Sequence, residues 1–62
     1  MEIEVEMSAL PNGMPDLKTR RRAISHLQLT DEDNPVFDRR EDGKPGFVIY
    51  VDKITHVFKP RS

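Results

Sequence analysis

The sequence predicts a mainly β fold of five short strands, and two stretches carry most of that prediction. Phe47-Val48-Ile49-Tyr50-Val51 is the longest unbroken apolar run, and all five residues are β-branched or aromatic. Such a composition favours a buried, pleated segment over a helix. Phe47, Ile49 and Val51 would point to one face, Val48 and Tyr50 to the other, so this strand should be central and covered on both sides. The second stretch runs from Met1 to Met7 and alternates strictly. Met1, Ile3, Val5 and Met7 share one face, and Glu2, Glu4 and Glu6 share the other. That is the pattern of a half-buried strand.

The remaining elements follow in chain order. Ser8 to Asp16 contains Pro11-Asn12-Gly13 and Pro15. Asn-Gly supplies the positive φ of a tight turn and the prolines deny ladder hydrogen bonds, so this is a long loop from which Leu10 and Met14 can tuck onto the core. Leu17 to Leu29 reads two ways. As a helix, Leu17, Ala23, Ile24 and Leu27 form one stripe behind a Pro15-Asp16 start, but Arg20 interrupts that stripe and Leu29 lies off it. As a strand, Ala23, Ser25, Leu27 and Leu29 share a face while Ile24 points away. Thr30 to Pro35 is an acidic turn, and Val36-Phe37 opens a short strand with a polar continuation. Glu41-Asp42-Gly43-Lys44-Pro45-Gly46 is a hairpin loop by its Asp-Gly and Pro-Gly pairs. Asp52-Lys53 breaks the chain before a last element, Ile54 to Phe58.

Strand, long loop, strand, acidic turn, strand, tight hairpin, strand, short break, strand: in loop order and length this layout resembles an SH3-like small barrel. The resemblance spans the chain and favours the strand reading of 17–29. It stops short of the peptide groove of signalling SH3 domains, because the chain has no Trp and a single Tyr. The competing architecture is α+β, with a helix at 16–29 packed on a four-stranded antiparallel sheet. The expected core is Ile3, Val5, Leu10, Ile24, Leu27, Leu29, Phe37, Phe47, Ile49, Val51, Ile54 and Val57. Residues 1–59 are expected to form one small domain, with 60–62 as a flexible tail.

Length and composition narrow the function. Sixty-two residues leave no room for a second core. With no Cys, disulfides and thiolate metal sites are excluded. Apolar runs fall far short of the ~20 residues of a membrane span, and Glu2 and Glu4 stand where a signal peptide would be basic. A soluble, cytoplasmic protein that does not engage membranes is the expectation.

Catalytic and cofactor patterns are weak. Ser25 and His26 are neighbours whose side chains diverge on either a strand or a helix, so they cannot form a nucleophile–base pair with each other. His26, His56, Asp31, Glu32 and Asp33 lack metal-ligand spacing, and Pro35 occupies the place of a third ligand in a calcium-type loop. Gly43-Lys44-Pro45-Gly46 is too short for a phosphate-binding loop. Neither an enzyme nor a bound metal or cofactor is expected.

The strongest surface signal is basic. Lys18, Arg20, Arg21 and Arg22 form one block, and Arg39 and Arg40 a second pair. These six are the candidate partner-binding residues. They can contact phosphates, but they can also pair with Glu2, Glu4 and Glu6 or with Asp31–Asp33, each pair contributing little. No aromatics are interleaved with them, and the pI is about 6.1, which disfavours a dedicated nucleic-acid binder. The expectation is a small non-enzymatic binding or regulatory protein acting through a protein partner or through self-association as a homodimer. A nucleic-acid-binding accessory protein using residues 18–22 is the alternative. On this reading, replacing Arg20, Arg21 and Arg22 together with Glu abolishes partner binding while leaving the fold intact.

Overall fold

A computed structural model describes residues 1–8, 10 and 13–61. The chain forms β1 (Glu2–Met7), α1 (Leu17–Leu27), a short 3-10 turn (Asp31–Asp33), β2 (Val36–Arg39), β3 (Phe47–Val51) and β4 (Ile54–Pro60). The four strands make one open sheet in the order β1-β4-β3-β2. β2 and β3 are antiparallel, as are β3 and β4, whereas β1 lies parallel to β4 with Glu2 opposite Thr55 and Val5 opposite Phe58. Of the expected Pro11-Asn12-Gly13 turn, Pro11 and Asn12 lie outside the described residues, as does Ser62 of the expected tail.

Two expectations are corrected. Residues 17–27 are a helix and not a strand, and the sheet is open and mixed, without barrel closure among the described residues. The α+β alternative anticipates a helix on four strands but makes the sheet wholly antiparallel. The reason for the helix begins at Asp16, whose carboxylate accepts from Thr19 N–H at 2.8 Å and so satisfies one of the free donors of the first turn. Leu, Lys, Arg and Ala then sustain it. It ends where Gln28 enters the left-handed region (φ 56), with Gln28 N–H donating to Ser25 O and Leu29 N–H to Ile24 O. These two bonds define a Schellman stop.

Arg20, which interrupts the apolar stripe in sequence, lies within it in the structure. Thr19 and Ala23 are buried and Arg20, Ile24 and Leu27 are half-buried, so the stripe runs 19/20, 23/24, 27. The Arg20 guanidinium sits over the Phe37 ring, 5.2 Å from its centroid. An aromatic face accepts the charge that a wholly aliphatic core would reject. Leu17, expected on the stripe, is exposed instead.

The core lies between α1 and one face of the sheet. Phe47, Phe58 and Ile49 are its largest fully buried side chains. Phe47 and Phe58 stack at 4.8 Å with planes 3° apart, and Phe37 stacks on Phe47 at 6.0 Å. Phe58, Met7 and Ala23 are core residues absent from the expected set. Ile3, which was in it, is 37% exposed, because β1 is an edge strand and the helix does not reach over that end. The hairpin before β3 needs Gly46. Its φ of 116° is rarely open to other residues, and a Cβ there would overlap the Phe58 carbonyl oxygen.

Core truncation tests this arrangement. Phe58→Ala should destabilise the protein by about 3–5 kcal/mol and Ile49→Ala by about 2–5 kcal/mol in chemical denaturation. A loss below about 1 kcal/mol at either site would contradict their placement in the core.

Candidate functional site

The six basic candidates do not form one surface. Lys18, Arg21 and Arg22 are exposed on α1, with spacings of three and four residues that put Lys18 beside both arginines. Arg20 faces the sheet and is held by Phe37. Arg39 and Arg40 are consecutive residues at the end of β2 and diverge to opposite sides. Arg39 is exposed, whereas only 13% of the Arg40 side chain is. Arg40 folds onto its own hairpin, donating from Nε and Nη2 to the two carboxylate oxygens of Asp42 at 3.0 and 2.6 Å. The anticipated pairing of the 18–22 block with Glu2, Glu4 and Glu6 or with Asp31–Asp33 is not formed among the described residues. Glu4 and Glu6 are instead approached by Lys59 Nζ at 2.8 and 3.8 Å.

The sheet face turned away from α1 carries a second constellation, set by strand register. Glu2, Thr55, Tyr50 and Val36 lie in one row across the four strands, and Glu4, Val57, Val48 and Asp38 in the next. The loop from Arg40 to Asp42 folds toward this face. With Glu2, Glu4, Val48 and Val57 it bounds a groove of about 240 Å³. Val48 and Val57 are buried, while Tyr50 is 37% and Val36 58% exposed. Two-sidedness of the 47–51 run implies a cover on both faces, yet among the described residues a single helix covers only one. That single cover is the signal in the sequence that marks this face.

Electrostatics reinforce the rim of the groove. The Lys59 hydrogen bond, aided by its charge, lowers the Glu4 pKa, and Glu4 in turn raises that of Lys59. The Arg40 hydrogen bond, followed by the Lys44 N–H, lowers the pKa of Asp42. Asp16 is lowered by the Thr19 N–H it caps.

A second hollow, of about 400 Å³, lies between α1 and the ends of β1 and β4, where Arg22, Ser25, His26 and Arg61 meet Ser8 and Glu6. His26 stands edge-on to Phe58 at 6.5 Å. The acidic segment after α1 is a closed turn: Asp33 accepts from Thr30 N–H at 2.6 Å and Asn34 Nδ2 donates to Glu32 O at 3.0 Å. Among the described residues, no group of three or more His, Asp or Glu side chains is placed to hold a metal ion, and no helix is long and apolar enough to cross a membrane. Compared with family models, with curated proteins and with solved structures, the chain finds no match.

Two predictions follow from these contacts. Arg20→Ala should lower thermal stability measurably, by about 0.5–2 kcal/mol from the lost cation–π contact and stem packing, whereas Arg21→Ala should leave it nearly unchanged. Equal effects would remove the Arg20–Phe37 contact from the stabilising set. It also follows that the triple Arg20–Arg22 charge reversal cannot be expected to spare the fold.

The second prediction concerns acid. Asp16, Asp42 and Glu4 all have folded-state pKa values below their ordinary ones, so the folded chain binds fewer protons than the unfolded chain. Their stabilisation is complete above the ordinary carboxylate range near pH 4 and is lost as pH falls through the lowered folded values. Denaturation midpoints should therefore drop between pH 6 and pH 3, and less so in Asp16→Asn. A flat profile would show that these exposed bonds carry no net stability.

Proposed function

We propose that this chain is a small non-enzymatic binding protein that receives a protein partner on the open face of its sheet. The observation that carries this reading is the mismatch between cover and apolar surface. One helix shields one face, while Tyr50 and Val36 stand exposed on the other beside a groove rimmed by Glu2 and Glu4. Exposed aromatic and aliphatic side chains bordered by charge are the usual composition of a recognition patch. The rim adds direction, since acidic groups beside an apolar strip select partners of opposite charge.

Nucleic-acid binding is the second reading, supported by Lys18, Arg21 and Arg22. Among the described residues they have no carboxylate within ion-pair distance, and Arg22 shares its hollow with Arg61 and His26. A row of unpaired cations of this kind would bind phosphates with strong salt dependence.

A photo-crosslinking residue placed at Tyr50 should capture protein from cell extract more efficiently than the same residue at Arg21. In ¹H–¹⁵N spectra, short duplex and single-stranded DNA should leave the amides of residues 18–22 unmoved at both low and high salt. Salt-sensitive shifts confined to those amides, with no capture from position 50, would transfer the function to the helix and overturn the open-face reading.

A further inference from the structure

We infer that the free edge of β1 accepts an added strand from a partner peptide with lysine or arginine at alternate positions. The inference rests on the protein-binding reading and specifies its partner. β1 is hydrogen-bonded on one side only, to β4, among the described residues. Thr55 N–H donates to Met1 O at 2.8 Å and Arg61 N–H to Met7 O at 3.1 Å. Odd-numbered residues therefore turn their backbone groups toward β4. Because those groups alternate in direction along a strand, Glu2, Glu4 and Glu6 turn theirs outward, giving three donors and three acceptors in a row.

This edge has few of the usual defences. It runs for six residues in unbroken register, with no Pro, Lys or bulge, the features that normally blunt an exposed edge. What protects it is charge. Glu2, Glu4 and Glu6 all project onto the open face, and pairing two copies antiparallel about Glu4 would set Glu2 against Glu6 and Glu4 against itself. Like charges directly opposite are destabilising and opposite charges stabilising. The acidic row thus rejects a second copy and admits a basic strand.

The two sides of β1 define the sequence such a strand needs. On the open face, cations at every second position would lie opposite the three glutamates. Lys59 already contacts Glu4 and Glu6 from the β4 side, whereas Glu2 has no ion-pair partner among the described residues. On the helix side, the intervening residues would cover Ile3, which is 37% exposed, and extend the half-buried row that includes Val5. Small or β-branched residues suit those positions. The recognised segment is an extended peptide of the form cation, apolar, cation, apolar, cation, bound by main-chain hydrogen bonds with specificity from alternate side chains.

The test uses the whole chain and a capped heptapeptide that alternates lysine with valine or threonine. Two controls accompany it: the same residues with the lysines in one block, and a glutamate version of the alternating peptide. Hydrogen exchange at the Glu2, Glu4 and Glu6 amides should slow by about tenfold or more with the alternating basic peptide and by neither control, because only strand addition occupies those N–H groups. The E2K/E4K/E6K variant should reverse the preference toward the glutamate peptide. Glu4→Pro, which removes an outward N–H and no ladder bond, should weaken binding while β1 stays in place. Equal protection by alternating and blocked lysines would reduce the effect to nonspecific charge and overturn the inference. Peptide-induced shifts at Tyr50 and Val48 without protection of the glutamate amides would also overturn it, while leaving the open-face reading standing. If the peptide leaves both sets of signals unchanged, the strand-addition inference falls, and crosslinking from position 50 decides the broader reading by itself.

Discussion

Contact between Phe47 and Phe58 is the interaction on which most of the remaining structure depends. The two rings lie directly across the β3–β4 ladder and are wholly buried. Phe37 from β2 extends the stack, and His26 from α1 closes on Phe58 from above. All of this requires the hairpin backbone to pass so close to the Phe58 carbonyl that only glycine fits at position 46. One aromatic pair thereby fixes the hairpin, the helix position and the β4 register together. Aromatic stacks of this kind contribute beyond the area they bury, which matters in a chain too short to bury a large fraction of its surface.

From that constraint comes the division of the molecule into two unlike sides. The helix side is a closed aromatic and aliphatic layer into which one arginine is admitted because a ring lies beneath it. The opposite side is closed only in part, by a hairpin loop folded over two valines and kept in shape by the Arg40–Asp42 pair. Charge follows the same division. Lys18, Arg21 and Arg22 stand exposed together on α1, while Glu2, Glu4 and Glu6 line one edge of the uncovered face. A net charge of −1 averages over this separation and conceals it.

The parts of the fold visible in the sequence are those governed by local pattern. Alternation in 1–7, the apolar run at 47–51 and the glycine-rich hairpin at 41–46 each specify their own geometry. The helix was obscured by a residue whose justification is distant: Arg20 looks misplaced until Phe37, seventeen positions later, is set beneath it. Phe58 lies within the expected last element but outside the expected core, since nothing local tells which face of β4 the helix covers. The parallel pairing of β1 with β4 has no local signature at all. As for the candidate site, the acidic row was legible and the basic residues were identified, but their distribution over different surfaces is a property of strand order and side-chain direction. The open face is not legible because a two-sided apolar strand implies two covers, whereas the second face is bordered only by the Arg40–Asp42 loop.

The same parallel pairing has a kinetic side. Glu2 and Thr55, which meet at the start of the β1–β4 ladder, are separated by most of the chain. Closing so long a loop carries an entropic penalty that no early contact offsets, and such non-local pairing slows folding. The β2–β3–β4 meander can assemble from neighbouring segments, whereas β1, although first in sequence, has nothing to join until β4 exists. During synthesis it would wait beside the ribosome as an unattached, alternating strand. In that interval its row of glutamates would disfavour pairing with the β1 of another copy, since like charges would stand opposite one another.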